Sequence, residues 1–168
     1  KLHYAYDSQQ LMFLMSNDTD GFNRWDAGQT LASGIILDLA DDELAGKALQ
    51  LDGKFTSVFS QLLSQKDLDK AMLAHMLTLP SLSFLMEQQN PAHIHALYAA
   101  RSYVKQTVAS NLHEQFHEVY LSSVDSGAYS PNPDAMAQRA LKNLCLQYLL
   151  ESGEEKYLSL AMKQFEQA

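Results

Sequence analysis

The chain has 168 residues, 46% of them hydrophobic and 19% charged, which is enough apolar surface for a sizeable core and too much for a disordered segment. With 20 Asp and Glu against 12 Lys and Arg, the net charge is −8; this disfavours nucleic acid and anionic membranes as partners, since both require concentrated cations. The longest apolar run, around Ile35-Ile36-Leu37, is far too short to span a bilayer, and the first residues lack the basic and apolar pattern of a signal peptide.

Lys1 to Tyr6 alternates Leu2, Tyr4 and Tyr6 with Lys1 and His3, the period of a strand. A single strand has no partner in this chain, so residues 1–6 read as the end of a preceding β-domain. From Asp7 the pattern is helical. Asp7 with Gln10 forms a capping-box variant ahead of a helix over Ser8 to Ser16. The next helix is expected from Gly21 to Ala40, with Phe22, Trp25, Ala32, Ile36 and Leu39 on one stripe and Trp25 largely buried in the core. A polar stretch from Asp41 to Asp52 follows.

Further helices are expected over Lys54 to Gln65, Asp67 to Leu77 and, after the break at Pro80, Ser81 to Gln89. Asn90-Pro91 reads as a start signal for a helix reaching about Ser122, with Ile94, Leu97, Arg101, Val108, Leu112, Phe116 and Val119 on its stripe. Ser122 to Asn132 is rich in Ser, Gly, Asp and Pro and reads as a loop. Asn132-Pro133 repeats the start signal for a helix ending near Ser152-Gly153, and Glu154 and Glu155 suit the N-terminus of a last one. Short loops between helices of similar length make antiparallel neighbours, and such pairs can stack. The fold class is therefore all-α, an irregular stack of antiparallel helix pairs over residues 7–168.

His113-Glu114-Gln115-Phe116-His117 matches H-E-x-x-H, a helical motif whose two histidines can bind zinc while the Glu acts as general base. A catalytic zinc needs a third protein ligand. The extended form of the motif fails because Tyr120 occupies its glycine position. With Leu112, Phe116 and Val119 facing the core, the histidines fall on the flank and Glu114 points outward, so His113, Glu114 and His117 read as a false match. No catalytic, cofactor or metal residue is assigned.

His93 and His95 lie two apart, on different helical faces, and read as solvated. Cys145, the single cysteine, sits among Leu141, Leu144, Tyr148 and Leu149; it reads as a buried thiol in a reducing compartment, hence a cytoplasmic location. Burial would raise its pKa and remove it as a nucleophile.

Four blocks carry a family resemblance in order: Phe22-Asn23-Arg24-Trp25-Asp26-Ala27-Gly28-Gln29, Leu77-Thr78-Leu79-Pro80-Ser81, Arg139-Ala140-Leu141-Lys142-Asn143-Leu144-Cys145-Leu146, and Lys163-Gln164-Phe165. Together they resemble the opening of the C-terminal helical domain of bacterial aminopeptidase N, a zinc metallo-aminopeptidase of the gluzincin class. The resemblance implies a curved superhelix of ARM- or HEAT-like pairs and a fragment truncated within that domain. It also implies that zinc, its ligands and the peptide-binding motif belong to an upstream catalytic domain, with Met136 standing where the third gluzincin ligand would follow the local motif.

The implied partners are the catalytic and β-sandwich domains of the same parent chain and, in the parent, a peptide substrate. The helical domain closes over the catalytic domain to complete a chamber. Arg24, Trp25, Asp26 and Gln29 are the candidates for contact with those domains. An ordinary structural role for them, with Trp25 in the core and Arg24 and Asp26 solvated or paired locally, stands beside that reading. A different class of function, an independent helical adaptor binding a partner protein, stands beside the enzyme-domain reading.

Overall fold

The computed structural model describes residues 5–124 and 130–166. The strand expected over Lys1 to Tyr6 falls mainly on residues 1–4, and the middle of the Ser122–Asn132 loop on 125–129, both outside the described residues. Among those described the chain is all-helical, without strands, and eight helices follow one another: α1 (Ser8–Asn17), α2 (Gly21–Leu44), α3 (Gly53–Leu63), α4 (Lys70–Met76), α5 (Leu82–Gln88), α6 (Ile94–Ser122), α7 (Pro133–Leu150) and α8 (Glu155–Glu166). None is long and apolar enough to cross a membrane.

Local chemistry sets most of these boundaries. The Asp7 carboxylate accepts the Gln10 N–H at 2.8 Å while the Gln10 side chain accepts the Asp7 N–H at 3.1 Å, a complete capping box. Asp20, Asp69, Ser81 and Asn132 cap α2, α4, α5 and α7 from one side only, each side chain accepting a first-turn N–H. Several boundaries differ from the sequence expectation: α3 ends at Leu63 rather than Gln65, α4 runs from Lys70 to Met76 rather than from Asp67 to Leu77, and α7 ends at Leu150. Two further differences have a visible local cause. Helix α2 continues past Ala40 to Leu44, because nothing breaks it before Gly46, whose φ of 68° is left-handed and whose N–H bonds to Glu43 O. Helix α6 begins at Ile94 rather than at Asn90-Pro91. The Gln89 side chain takes the His93 N–H at 2.9 Å and closes residues 89–93 as a loop.

The chain divides into two compact units. The first comprises residues 1–58 and 79–104. In it α1 packs on α2, Met15, Leu31 and Ile36 are buried, and so are Phe55, Leu85, Leu97 and Val104. Gly28 marks the closest approach: a Cβ there would lie 3.2 Å from the Met15 sulfur.

The second unit comprises residues 59–78 and 105–168, with α4 and α8 both packed on α7. Its centre is Tyr148. That ring stacks on Phe116 at 4.4 Å between centroids, meets Phe59 edge-on at 6.3 Å, and its hydroxyl donates to Leu77 O at 2.7 Å.

Candidate functional site

Helix α2 places Trp25, Gln29, Ser33 and Leu37 four residues apart, and so on one face. With Asp26 and Gly34 they form one wall of a groove of about 650 Å³. The other wall is α5 with its N-cap, through Ser81, Phe84 and Gln88. Both walls belong to the first unit.

The groove is amphipathic. Trp25 is half-buried and Phe84 is 47% exposed, and Trp25 continues outward into Phe22, whose ring centroid lies 5.7 Å away. Asp26 is exposed, and no Lys or Arg is among the described residues that line the groove. The Ser33 hydroxyl is buried without a hydrogen-bond partner among the described residues. A Cβ added to Gly34 would meet nothing within 4 Å, so the groove is open there.

The expectation that Trp25 is a core residue is corrected. The stripe through Phe22 and Trp25 has the expected angle, but burial on α2 begins only at Ala27. Arg24 turns away from the groove: its Nε donates to Met15 O at 3.0 Å and Nη2 to Ser16 O at 3.2 Å, a cation on the carbonyls that end α1. Burial pushes its pKa down, opposed by the Asp18 carboxylate. Of the four residues singled out from sequence, three line the groove and Arg24 instead ties the start of α2 to the end of α1. Sequence reasoning missed Ser33, Gly34 and the whole α5 wall. The four-residue spacing could have supplied Ser33, but nothing local ties α5 to α2.

The H-E-x-x-H residues lie on α6 in the second unit, where Leu112 (φ −121°, ψ 18°) interrupts the helix immediately before His113. The Glu114 side chain is 87% exposed. His113 Nδ1 lies 3.2 Å from Ser110 O, and the His117 ring sits edge-on to Tyr157 at 5.6 Å. The Glu154 pKa is lowered chiefly by the hydrogen bond from Lys156 to its Oε2 at 2.6 Å, with smaller attractions from both histidines. No three His, Cys, Asp or Glu side chains among the described residues are arranged to hold a metal, so this donor set does not fit a catalytic zinc.

His93 and His95 are exposed, with His93 in the loop and His95 on α6. Cys145 is fully buried, and burial pushes its thiol pKa up to about 12.

Residues 8–168 match the family described as "Domain of unknown function (DUF3458_C) ARM repeats". The chain is 32% identical to aminopeptidase N of Escherichia coli (strain K12) over its full length, covering 19% of that protein. It is 30% identical to aminopeptidase N of Caulobacter vibrioides, with 90% of this chain and 17% of the relative covered. In structure it resembles a chain of Legionella pneumophila aminopeptidase A, crystallised in complex with aspartic acid, with a TM-score of 0.84, 32% identity, and coverage of 99% of this chain and 20% of that one. The chain thus spans about a fifth of the length of these relatives, all named as aminopeptidases. A match over 8–168, eight helices and a whole-chain likeness to one segment of such enzymes together place this chain in the ARM-repeat helical family of bacterial aminopeptidase N.

Proposed function

We propose that this chain is the non-catalytic helical part of a zinc-dependent aminopeptidase that removes N-terminal residues from peptides, and that it closes the substrate chamber over the catalytic domain. The supporting observation is the coverage: all of this chain aligns with less than a fifth of an aminopeptidase. Among the described residues, His113 and His117 lack the third ligand a catalytic zinc needs, and in this reading the metal is held elsewhere in the parent polypeptide. Trp25, Asp26 and Gln29, on the groove, with Arg24 fixing the start of their helix against α1, are the residues that face the other domains in this reading.

The experiment is a deletion of residues 7–168 from the full polypeptide, followed by metal analysis and steady-state hydrolysis of a leucyl peptide. Bound zinc is expected to persist while peptide turnover falls, since closure of a chamber positions substrate and excludes water. Unchanged turnover would overturn the chamber role. The 168-residue chain alone is expected to leave an alanyl chromogenic amide intact with zinc added; activity abolished by Glu114→Gln would restore the local motif as a site.

A further inference from the structure

We infer that the α2/α5 groove is the seat of a polypeptide segment from elsewhere in the same parent chain, one that brings a basic side chain to Asp26 and an apolar side chain between Trp25 and Phe84. This rests on the reading of the chain as part of a larger aminopeptidase. Three observations carry it.

First, four polar groups on the groove are unused. The Trp25 indole N–H, the Asp26 carboxylate, the Thr30 hydroxyl and the Gln88 amide have no hydrogen-bond or ion-pair partner among the described residues. A polypeptide backbone offers donors and acceptors in alternation, and suits such a mixed set better than a purely apolar ligand does.

Second, the charge is one-sided. Among the described residues Asp26 is the one ionisable side chain lining the groove, so Coulomb attraction selects a Lys or Arg on the occupant. Third, the aromatic surface is laid out for a side chain to enter. Trp25 and Phe84 stand on opposite walls, Phe22 extends the Trp25 side, and Gly34 leaves room between them. Half-exposed aromatic residues around a concave surface are the usual anchors of a protein interface.

The test uses the full polypeptide with a benzophenone amino acid placed at Thr30, on the groove, or at Asp38, an exposed control on α2 that does not line it. After irradiation, the joined peptides are mapped by mass spectrometry. The Thr30 probe is expected to join a segment of the same polypeptide outside these 168 residues, with a Lys or Arg in the joined stretch, and the Asp38 probe to join none there. Gly34→Trp should remove the Thr30 adduct, while circular dichroism shows the helices intact.

Joining to a second copy or to another protein overturns the inference. So does reaction with solvent alone, or a joined segment without a basic residue. Aminopeptidase activity is measured on the same samples before irradiation. An inactive polypeptide that still gives the Thr30 adduct sinks the enzyme reading and leaves the groove's occupant standing, whereas an active one without the adduct does the reverse.

Discussion

Tyr148 shows how one residue can organise its surroundings. Its ring is stacked on Phe116 and its hydroxyl satisfies the Leu77 carbonyl, so the aromatic packing and the polar contact can be separated by substitution. Tyr148→Phe should keep the ring contacts and cost about 1–2 kcal/mol, the worth of a buried hydrogen bond plus part of the desolvation of the partner left behind; urea titration of the 168-residue chain measures it.

Cys145 gives a pH signature. Its folded pKa is raised from the ordinary value of 9.0 to about 12, so its contribution to stability is complete below 9.0 and is lost as the pH rises toward the folded value. Wild type should therefore lose more stability than Cys145→Ala between about pH 8 and about pH 10.5, by on the order of 2 kcal/mol. Equal losses would mean that the thiol is not shielded from water.

Helices α1 and α2 are held by different means at each end. Capping fixes their starts, and Asp7→Ala should cost about 1 kcal/mol in the same titration. At the junction, the Arg24 guanidinium spans two carbonyls of α1, and Gly28 lets Met15 approach. Because Trp25 lines a groove rather than the core, Trp25→Ala should cost well under the roughly 3–5 kcal/mol of a core aromatic, about 1–2 kcal/mol. A full core-sized loss would show that the groove is closed in solution. On α8 the balance is reversed: Tyr157 is buried while Leu158, Met162 and Phe165 are exposed at 57%, 54% and 80%.

At the scale of the whole molecule, the surroundings of the local H-E-x-x-H bear on whether it can hold a metal. His117 packs on Tyr157, Glu154 pairs with Lys156 and Glu114 faces solvent, and among the described residues no third donor joins the two histidines. In the full polypeptide, His113→Ala combined with His117→Ala should leave zinc content and peptide turnover almost unchanged. Loss of zinc in that variant would make this segment of α6 a metal site after all.

Much of this architecture can be read from the residues. The Asp7–Gln10 box, the Asn132-Pro133 start and the outward face of Glu114 follow from contacts three or four residues apart, which a one-dimensional pattern contains. The same locality explains the errors. Asn90-Pro91 has the composition of a helix start, yet the Gln89 side chain captures His93 N–H and moves the start to Ile94; nothing in the pattern announces the break at Leu112 either. Helical period gave Trp25 its angle around α2, but not whether a neighbour stands opposite it. Only the tertiary structure brings Phe84 and Gln88, more than 50 residues away in sequence, beside Trp25 and Gln29, and so decides that this face is a groove and not core. Burial depends on what packs across from a residue, and that partner is chosen by the whole fold.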